Sequence, residues 1–229
     1  MKSFRLGDIQ ISVEYKRIKV LRMTVYSPDG SVCISAPLNT SDETVRRFAE
    51  SKMQWIEKHR EKFRRNPTAK STLKNNEIHY VWGAAYKLEV IEKSGYAKVS
   101  MTADTLKLQV PPGASKSKKQ QILDKWYHRL MQEAAPALVE KWGKITGIGI
   151  KRIFYRKMKT HWGSCNAQKK TIRLNTELAK KPQLCLEYVI VHEMLHVIEQ
   201  HHNQKFYKLM TKYFPDWKTL RRQMNKGVI

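Results

Sequence analysis

The sequence predicts an α+β protein, with a β-rich N-terminal region carrying one helix (residues 1–113) and a mostly helical region after it (residues 114–229). Three observations predict this. Short apolar runs of period two, separated by turn residues, fill much of the first half. Between 115 and 145 the apolar period becomes helical, with Ile122, Leu123, Trp126, Leu130, Ala134, Leu138 and Trp142 in register. From Leu184 to Ile198 the chain is apolar on nearly every side, as a buried helix would be.

The elements follow in order. Ile9 to Val13 alternates, and Leu21–Tyr26 and Val32–Ser35 flank Ser27-Pro28-Asp29-Gly30, a hairpin signal. Ser41-Asp42-Glu43 opens a helix whose apolar face is Val45, Phe48, Ala49, Met53, Trp55 and Ile56, and which dissolves before Asn66-Pro67. Four short strands come next: Glu77–Trp82, Tyr86–Ile91, Ala97–Met101 and Leu106–Val110. Pro111-Pro112-Gly113 marks the best boundary. The long helix over 115–145 carries Pro136, a site for a kink, and stops at Gly147. Strands Lys151–Arg156 and Thr171–Asn175 bracket the turn Trp162-Gly163-Ser164-Cys165. Thr176 is placed to cap a short helix, and Pro182 to open the apolar one. Asn203–Phe214 and Pro215–Met224 read as closing helices, and no internal repeat is evident.

Composition narrows the function classes. No charge-free run of about 18 apolar residues exists, so no membrane-spanning helix is expected. The start, Met1-Lys2-Ser3-Phe4-Arg5, lacks an apolar signal core. Cys33, Cys165 and Cys185 are odd in number and scattered, which fits reduced thiols and a cytoplasmic location. The net charge is +24 and uneven. Residues 1–113 hold 20 Lys+Arg against 12 Asp+Glu, and residues 114–229 hold 24 against 8. Such an excess points to a polyanionic partner, DNA or RNA first. Arg152, Arg156, Lys157 and Lys159, around Phe154 and Tyr155, are candidate nucleic-acid contacts, although strand alternation turns half of them the other way.

The sharpest signal is His192-Glu193-Met194-Leu195-His196, which reads H-E-x-x-H. On a helix, His192 and His196 share one face and can bind one zinc ion, while Glu193 can take a proton from a metal-activated water. Histidines and a glutamate in so apolar a helix are costly unless a metal or partners satisfy them. His202 makes the spacing H-E-x-x-H-x5-H. A straight helix would put it about 15 Å beyond His192, so the helix must end soon after Ile198 and the chain must turn back. His202 ranks first as third ligand, ahead of His201 and Glu199. Metzincins place glycine where Glu199 stands, so the likeness to that class is in spacing only. Three protein ligands leave a fourth position open, as a catalytic zinc site requires. One zinc per chain is expected.

Several blocks together resemble the YgjP-like metallopeptidase family, which is related to the SprT-like and WLM zincins. They are Arg156–Cys165, Ile172–Asn175, Tyr188–His196, His202 and Phe206-Tyr207, in matching order and spacing. The resemblance covers nearly the whole chain. It implies a zincin-like domain over 114–229, zinc on His192, His196 and His202, and Glu193 as catalytic base for peptide hydrolysis. His161, His201, Asn203 and Tyr207 depart from the family's usual basic residue, Asn, Ser and Trp. A carbonyl oxygen under attack needs a second electrophile, for which Tyr207, His161 and His201 are candidates. Strand 171–175 is expected to offer an edge to an extended peptide, as in other zincins, and Trp162–Cys165 to shape the cleft wall. Two other readings stay open: a nucleic-acid-associated binding protein with a structural zinc, and a metal-dependent hydrolase of non-peptide bonds.

Overall fold

The computed structural model describes residues 2–26, 30–65 and 72–226. The chain divides into two compact units, Met1–Ser71 and Thr72–Ile229.

The first unit is a four-stranded sheet with two helices. Strands β1 (Lys2–Leu6), β2 (Ile9–Lys16), β3 (Arg22–Val25) and β4 (Val32–Pro37) lie in the order β1-β2-β4-β3, with β2 and β4 parallel. Alternation explains its core. Ile9, Ile11 and Val13 of β2, with Val32, Ile34 and Ala36 of β4, close on Val45, Ala49 and Ile56. Strand β1 goes unannounced in the sequence because only Phe4 and Leu6 in it are apolar. The single helix expected after Ser41 is two, α1 (Asp42–Ser51) and α2 (Met53–Arg65). Lys52 breaks it, leaving helical geometry at φ −107° and bonding back to Ala49 and Glu50. Strands β3 and β4 form the expected antiparallel pair. Of the turn between them, Ser27, Pro28 and Asp29 lie outside the described residues, as do Asn66 and Pro67.

The second unit begins with the four expected strands: β5 (Ile78–Val81), β6 (Ala84–Glu92), β7 (Lys98–Met101) and β8 (Thr105–Val110). Their order is β5-β6-β8-β7, with β6 and β8 parallel and the outer pairs antiparallel. This repeats the first sheet strand for strand. The match continues past the sheets. Pro37 and Pro111 are each followed four residues later by a serine, Ser41 or Ser115, that caps the next helix by accepting from a backbone N–H three residues on. The expectation of no internal repeat is therefore corrected at the level of backbone. The side chains differ, and only caps and turn positions preserve the correspondence.

Helix α3 (Lys116–Thr146) contains Pro136 and ends at Gly147, whose φ of 75° a residue with a Cβ would resist. A three-stranded sheet follows: β9 (Arg152–Arg156), β10 (Gly163–Asn166) and β11 (Thr171–Asn175), in the order β10-β11-β9. Strand β11 is thus central, antiparallel to β10 and parallel to β9. The expected edge at 171–175 is corrected, since both its sides are paired and the edges are β10 and β9 instead. The short 3-10 helix Thr176–Lys180 is capped by Asn175, not Thr176, because the Asn175 side chain accepts from the Glu177 N–H. Helices α4 (Gln183–Leu195), α5 (Gln204–Tyr213) and α6 (Trp217–Lys226) complete the unit.

Compact units divide near residue 71, not at the expected 113, and the packing shows why. Residues of β5–β8 (Val81, Leu88, Leu106, Leu108) share one core with α3 and α4 (Met131, Ile190, Val191). The Tyr127 hydroxyl donates to the Tyr80 carbonyl at 2.9 Å, and the Trp82 N–H donates to the Ala179 carbonyl at 2.8 Å. The β5–β6 turn has positive φ at Trp82 (49°) and Gly83 (85°), the geometry of a two-residue type I′ hairpin. A Cβ on Gly83 would meet Pro182 at 2.8 Å, so this hairpin tip sits directly on the start of α4. Pro111–Gly113 lies inside a unit. No described helix is long and apolar enough to cross a membrane.

Candidate metal centre

Helix α4 is buried along most of its length, including Leu186, Ile190, Val191, Met194 and Leu195. Glu187 pins it to α3 by accepting from Trp142 Nε1 at 2.8 Å and from Lys141. Its α-helical geometry ends at Leu195, three residues before Ile198. The Val197 and Ile198 N–H groups then bond three residues back, which tightens the turn. Among the described residues, none between His196 and Asn203 has positive φ, so this reversal requires no glycine at Glu199. Asn203 then caps α5 by accepting from the Phe206 N–H at 3.0 Å.

The turn brings three imidazoles together. His192, His196 and His202 each offer a ring nitrogen, and these atoms lie within 4.8 Å of one another. The Nε2 atoms of His192 and His202 face each other at 2.9 Å. Two nitrogens on one tetrahedral zinc would stand about 3.3 Å apart, so the donor set fits the ion. His196 Nδ1 lies 3.0 Å from the Glu199 carbonyl oxygen. A carbonyl only accepts, so Nδ1 carries the proton and Nε2 keeps its lone pair for a cation. Phe206 is fully buried and packs against all three rings, at 5.0, 4.6 and 4.8 Å between centroids. Burial, then the other two imidazoles, holds His192's pKa down to about 3, so it stays neutral, the form in which an imidazole can bind a metal. Burial lowers that of His202 as well.

Glu193 stands beside this cluster, 5% exposed. Burial pushes its carboxyl up to about 8. Among the described residues no hydrogen bond or ion pair reaches its carboxylate, whose oxygens open onto the cleft. Across from it is Gly163 of β10. A Cβ there would lie 2.5 Å from Glu193 Oε1 and 2.7 Å from its Cγ. The glycine in Trp162-Gly163-Ser164-Cys165 is therefore a space requirement of the glutamate.

The cleft over the histidines has a volume of about 700 Å³. Its lining includes β10 with the loop before it, His161 and Trp162 among them, together with Tyr188 of α4 and Arg221 of α6. Asn175, 3% exposed, fixes that loop. Its Nδ2 donates to the Met158 and His161 carbonyls, both at 2.9 Å, and its Oδ1 accepts from the Met158 N–H at 3.2 Å. Cys165 lines the cleft, but burial and then Glu193 push its thiol up to about 11, so it remains protonated and inert.

The other residues singled out by sequence fall in different places. His161 lines the cleft, and His201 does not. Tyr207 stacks between His202 and Trp217, at 6.2 and 5.1 Å, and its hydroxyl lies 3.4 Å from Arg221. Of the basic set, Arg152 and Arg156 project from the exposed face of β9. Lys159 is exposed. Lys157 is held by Asp124 at 3.0 Å and Glu177 at 3.6 Å. Tyr155 turns inward against His128. Sequence reasoning missed Arg221, Gly163 as the glutamate's neighbour, and the Asn175 clamp. Gly163 and Asn175 were visible as parts of a recurring block, but Arg221 had no signal in an already basic helix.

A family model described as a YgjP-like metallopeptidase domain matches residues 20–227. Among solved structures, the crystal structure of the metallopeptidase zymogen of Methanocaldococcus jannaschii jannalysin is similar over 42% of this chain and 97% of its own, with 24% identity and a TM-score of 0.37. The zymogen of Pyrococcus abyssi abylysin is similar over 40% and 93%, with 20% identity and a TM-score of 0.36. No curated protein matches.

Proposed function

The chain belongs to the YgjP-like metallopeptidase family, and from that premise we propose that it is a zinc-dependent endopeptidase, with one zinc on His192, His196 and His202 and with Glu193 as general base. The observation that carries this is the pairing of three convergent imidazoles with a largely buried carboxyl, in one open cleft, that has no hydrogen-bond or ion-pair partner among the described residues. A structural zinc would be closed off by a fourth protein ligand.

Zinc, when bound, supplies Lewis acidity that makes water nucleophilic near neutral pH and polarises the peptide carbonyl. The chain's residues do the rest. Phe206 and the Glu199 carbonyl set the orientation of the imidazoles. Glu193 accepts a proton from the attacking water and returns it to the leaving amine. Strand β10 is paired on one side only and forms the cleft wall, so its free edge suits an extended peptide by strand addition. That role replaces the one expected of strand 171–175.

The test is hydrolysis of quenched fluorescent casein by the zinc-loaded protein. Activity should vanish with a chelator, return with zinc, and be absent from Glu193→Gln. Zinc-loaded protein that leaves casein intact while cleaving a phosphate ester or a nucleotide would move the reading to a non-peptide hydrolase.

A second reading concerns a polyanion partner near the same unit. Phe154, 37% exposed, lies under Arg152 at 4.9 Å and Arg173 at 5.9 Å on the outer sheet face. With Arg156 and Lys159 they support a stacking, cationic patch for single-stranded nucleic acid. Lys157 contributes less, since its charge is met by Asp124 and Glu177.

A further inference from the structure

Helix α6 sends one side chain into the cleft that carries charge. Trp217, Leu220 and Met224 bury its inner face, and Trp217 Nε1 donates to Thr211 Oγ1 at 3.1 Å, which fixes the helix on α5. Arg221 leaves the border of that face and lines the cleft together with His192, Glu193 and His202. Its Nη1 reaches the Tyr207 hydroxyl at 3.4 Å. That hydroxyl is held by the Tyr207–Trp217 stack, whose rings are 9° from parallel. Among the described residues, no carboxylate pairs with Arg221. A guanidinium is charged at every accessible pH and presents parallel donors to an oxygen anion. An unpaired one beside a cationic centre is the arrangement expected where negative charge will arrive.

We infer that Arg221 is a catalytic residue that binds the developing oxyanion of the scissile carbonyl. This rests on the hydrolase reading above. The step balances with water as the only co-reactant. Water's oxygen bonds to the carbonyl carbon, Glu193 takes its proton, and the C=O pair moves onto the carbonyl oxygen, which accepts from Arg221. When that pair returns, the C–N bond breaks and the amine leaves with the proton from Glu193. The assignment displaces Tyr207 from the role of direct stabiliser. Tyr207 becomes a positioning residue, because its hydroxyl addresses the guanidinium and its ring backs His202. His161 lines the same cleft from the loop before β10.

The test uses inorganic phosphate, a tetrahedral anion, titrated calorimetrically into the zinc-loaded wild type and into Arg221→Ala, Arg221→Lys and Arg222→Ala. Arg222 is an exposed neighbour of the same charge and controls for the basic surface. Arg221→Ala should keep its zinc and lose about tenfold or more in phosphate affinity, Arg221→Lys should recover part of it, and Arg222→Ala should match wild type. On casein, Arg221→Ala should lose roughly 100-fold in kcat with KM little changed. Equal phosphate affinity in wild type and Arg221→Ala, an equal loss in Arg222→Ala, or no phosphate binding by wild type would each overturn the inference. If wild type leaves casein uncut while phosphate binding still depends on Arg221, the peptidase reading fails and the anion site stands.

Discussion

At Gly163 the absence of one methyl group decides where Glu193 can stand. The Cβ of an alanine would lie 2.5–2.8 Å from three atoms of the glutamate side chain, closer than any tolerable contact. Gly163→Ala should therefore keep zinc yet lose about 100-fold in hydrolysis, because an ångström of misplacement costs that much. Zinc content and casein turnover, measured on one preparation, check this, and unaltered turnover would mean the glutamate has room to spare. Asn175 makes a complementary case. It holds Met158 and His161 by their backbones, so Asn175→Ala strands buried polar groups at about 1–3 kcal/mol each. A lowered thermal midpoint together with weaker casein turnover is expected. At this scale, H-E-x-x-H was legible because its spacing matches a helical turn. Arg221 was not, because its meaning comes from a cleft wall supplied by another element.

At the scale of elements, the sequence pattern conveyed the second unit well. The long helix, the four strands after Glu77 and the closing helices stand within a few residues of expectation, since their apolar periods are long or cleanly bounded. What failed was information carried between elements. Period two marks 171–175 as a strand but says nothing of its neighbours, and pairing on both sides turned an expected edge into a centre. The break at Lys52 likewise leaves the apolar face of α1 and α2 continuous. The edge role now falls to β10. The Asn175 N–H bonds the Trp162 carbonyl, so residues 162, 164 and 166 are the ones bonded to β11 and the Cys165 N–H faces the free edge. Cys165→Pro tests the edge by removing that donor, and it should raise KM for casein and keep its zinc, whereas an unchanged KM would remove β10 as the peptide's partner.

For the whole molecule, the repeated sheets escaped the sequence, as did the boundary at 71, because a shared core reveals itself only in packing. A fragment starting at Thr72 should unfold cooperatively and bind zinc, while one starting at Ala114 should not, since it lacks the β5–β6 hairpin under α3 and α4. Calorimetry of the two fragments checks this. The charge of +24 leads to a salt-dependent association. Single-stranded DNA should bind with a log affinity that falls linearly with log salt, by roughly 0.7 per neutralised phosphate, and the paired change Arg152→Glu, Arg173→Glu should flatten that slope. No binding at low salt would reduce the charge to a matter of solubility. The central claim is that one zinc sits on three imidazoles of each chain. X-ray absorption at the zinc edge, on protein loaded to saturation, tests it most directly. The expected result is one zinc per chain, with imidazole nitrogens from three histidines at about 2.0–2.1 Å and no sulfur at about 2.3 Å. A sulfur scatterer, or an unchanged spectrum in His202→Ala, would contradict it.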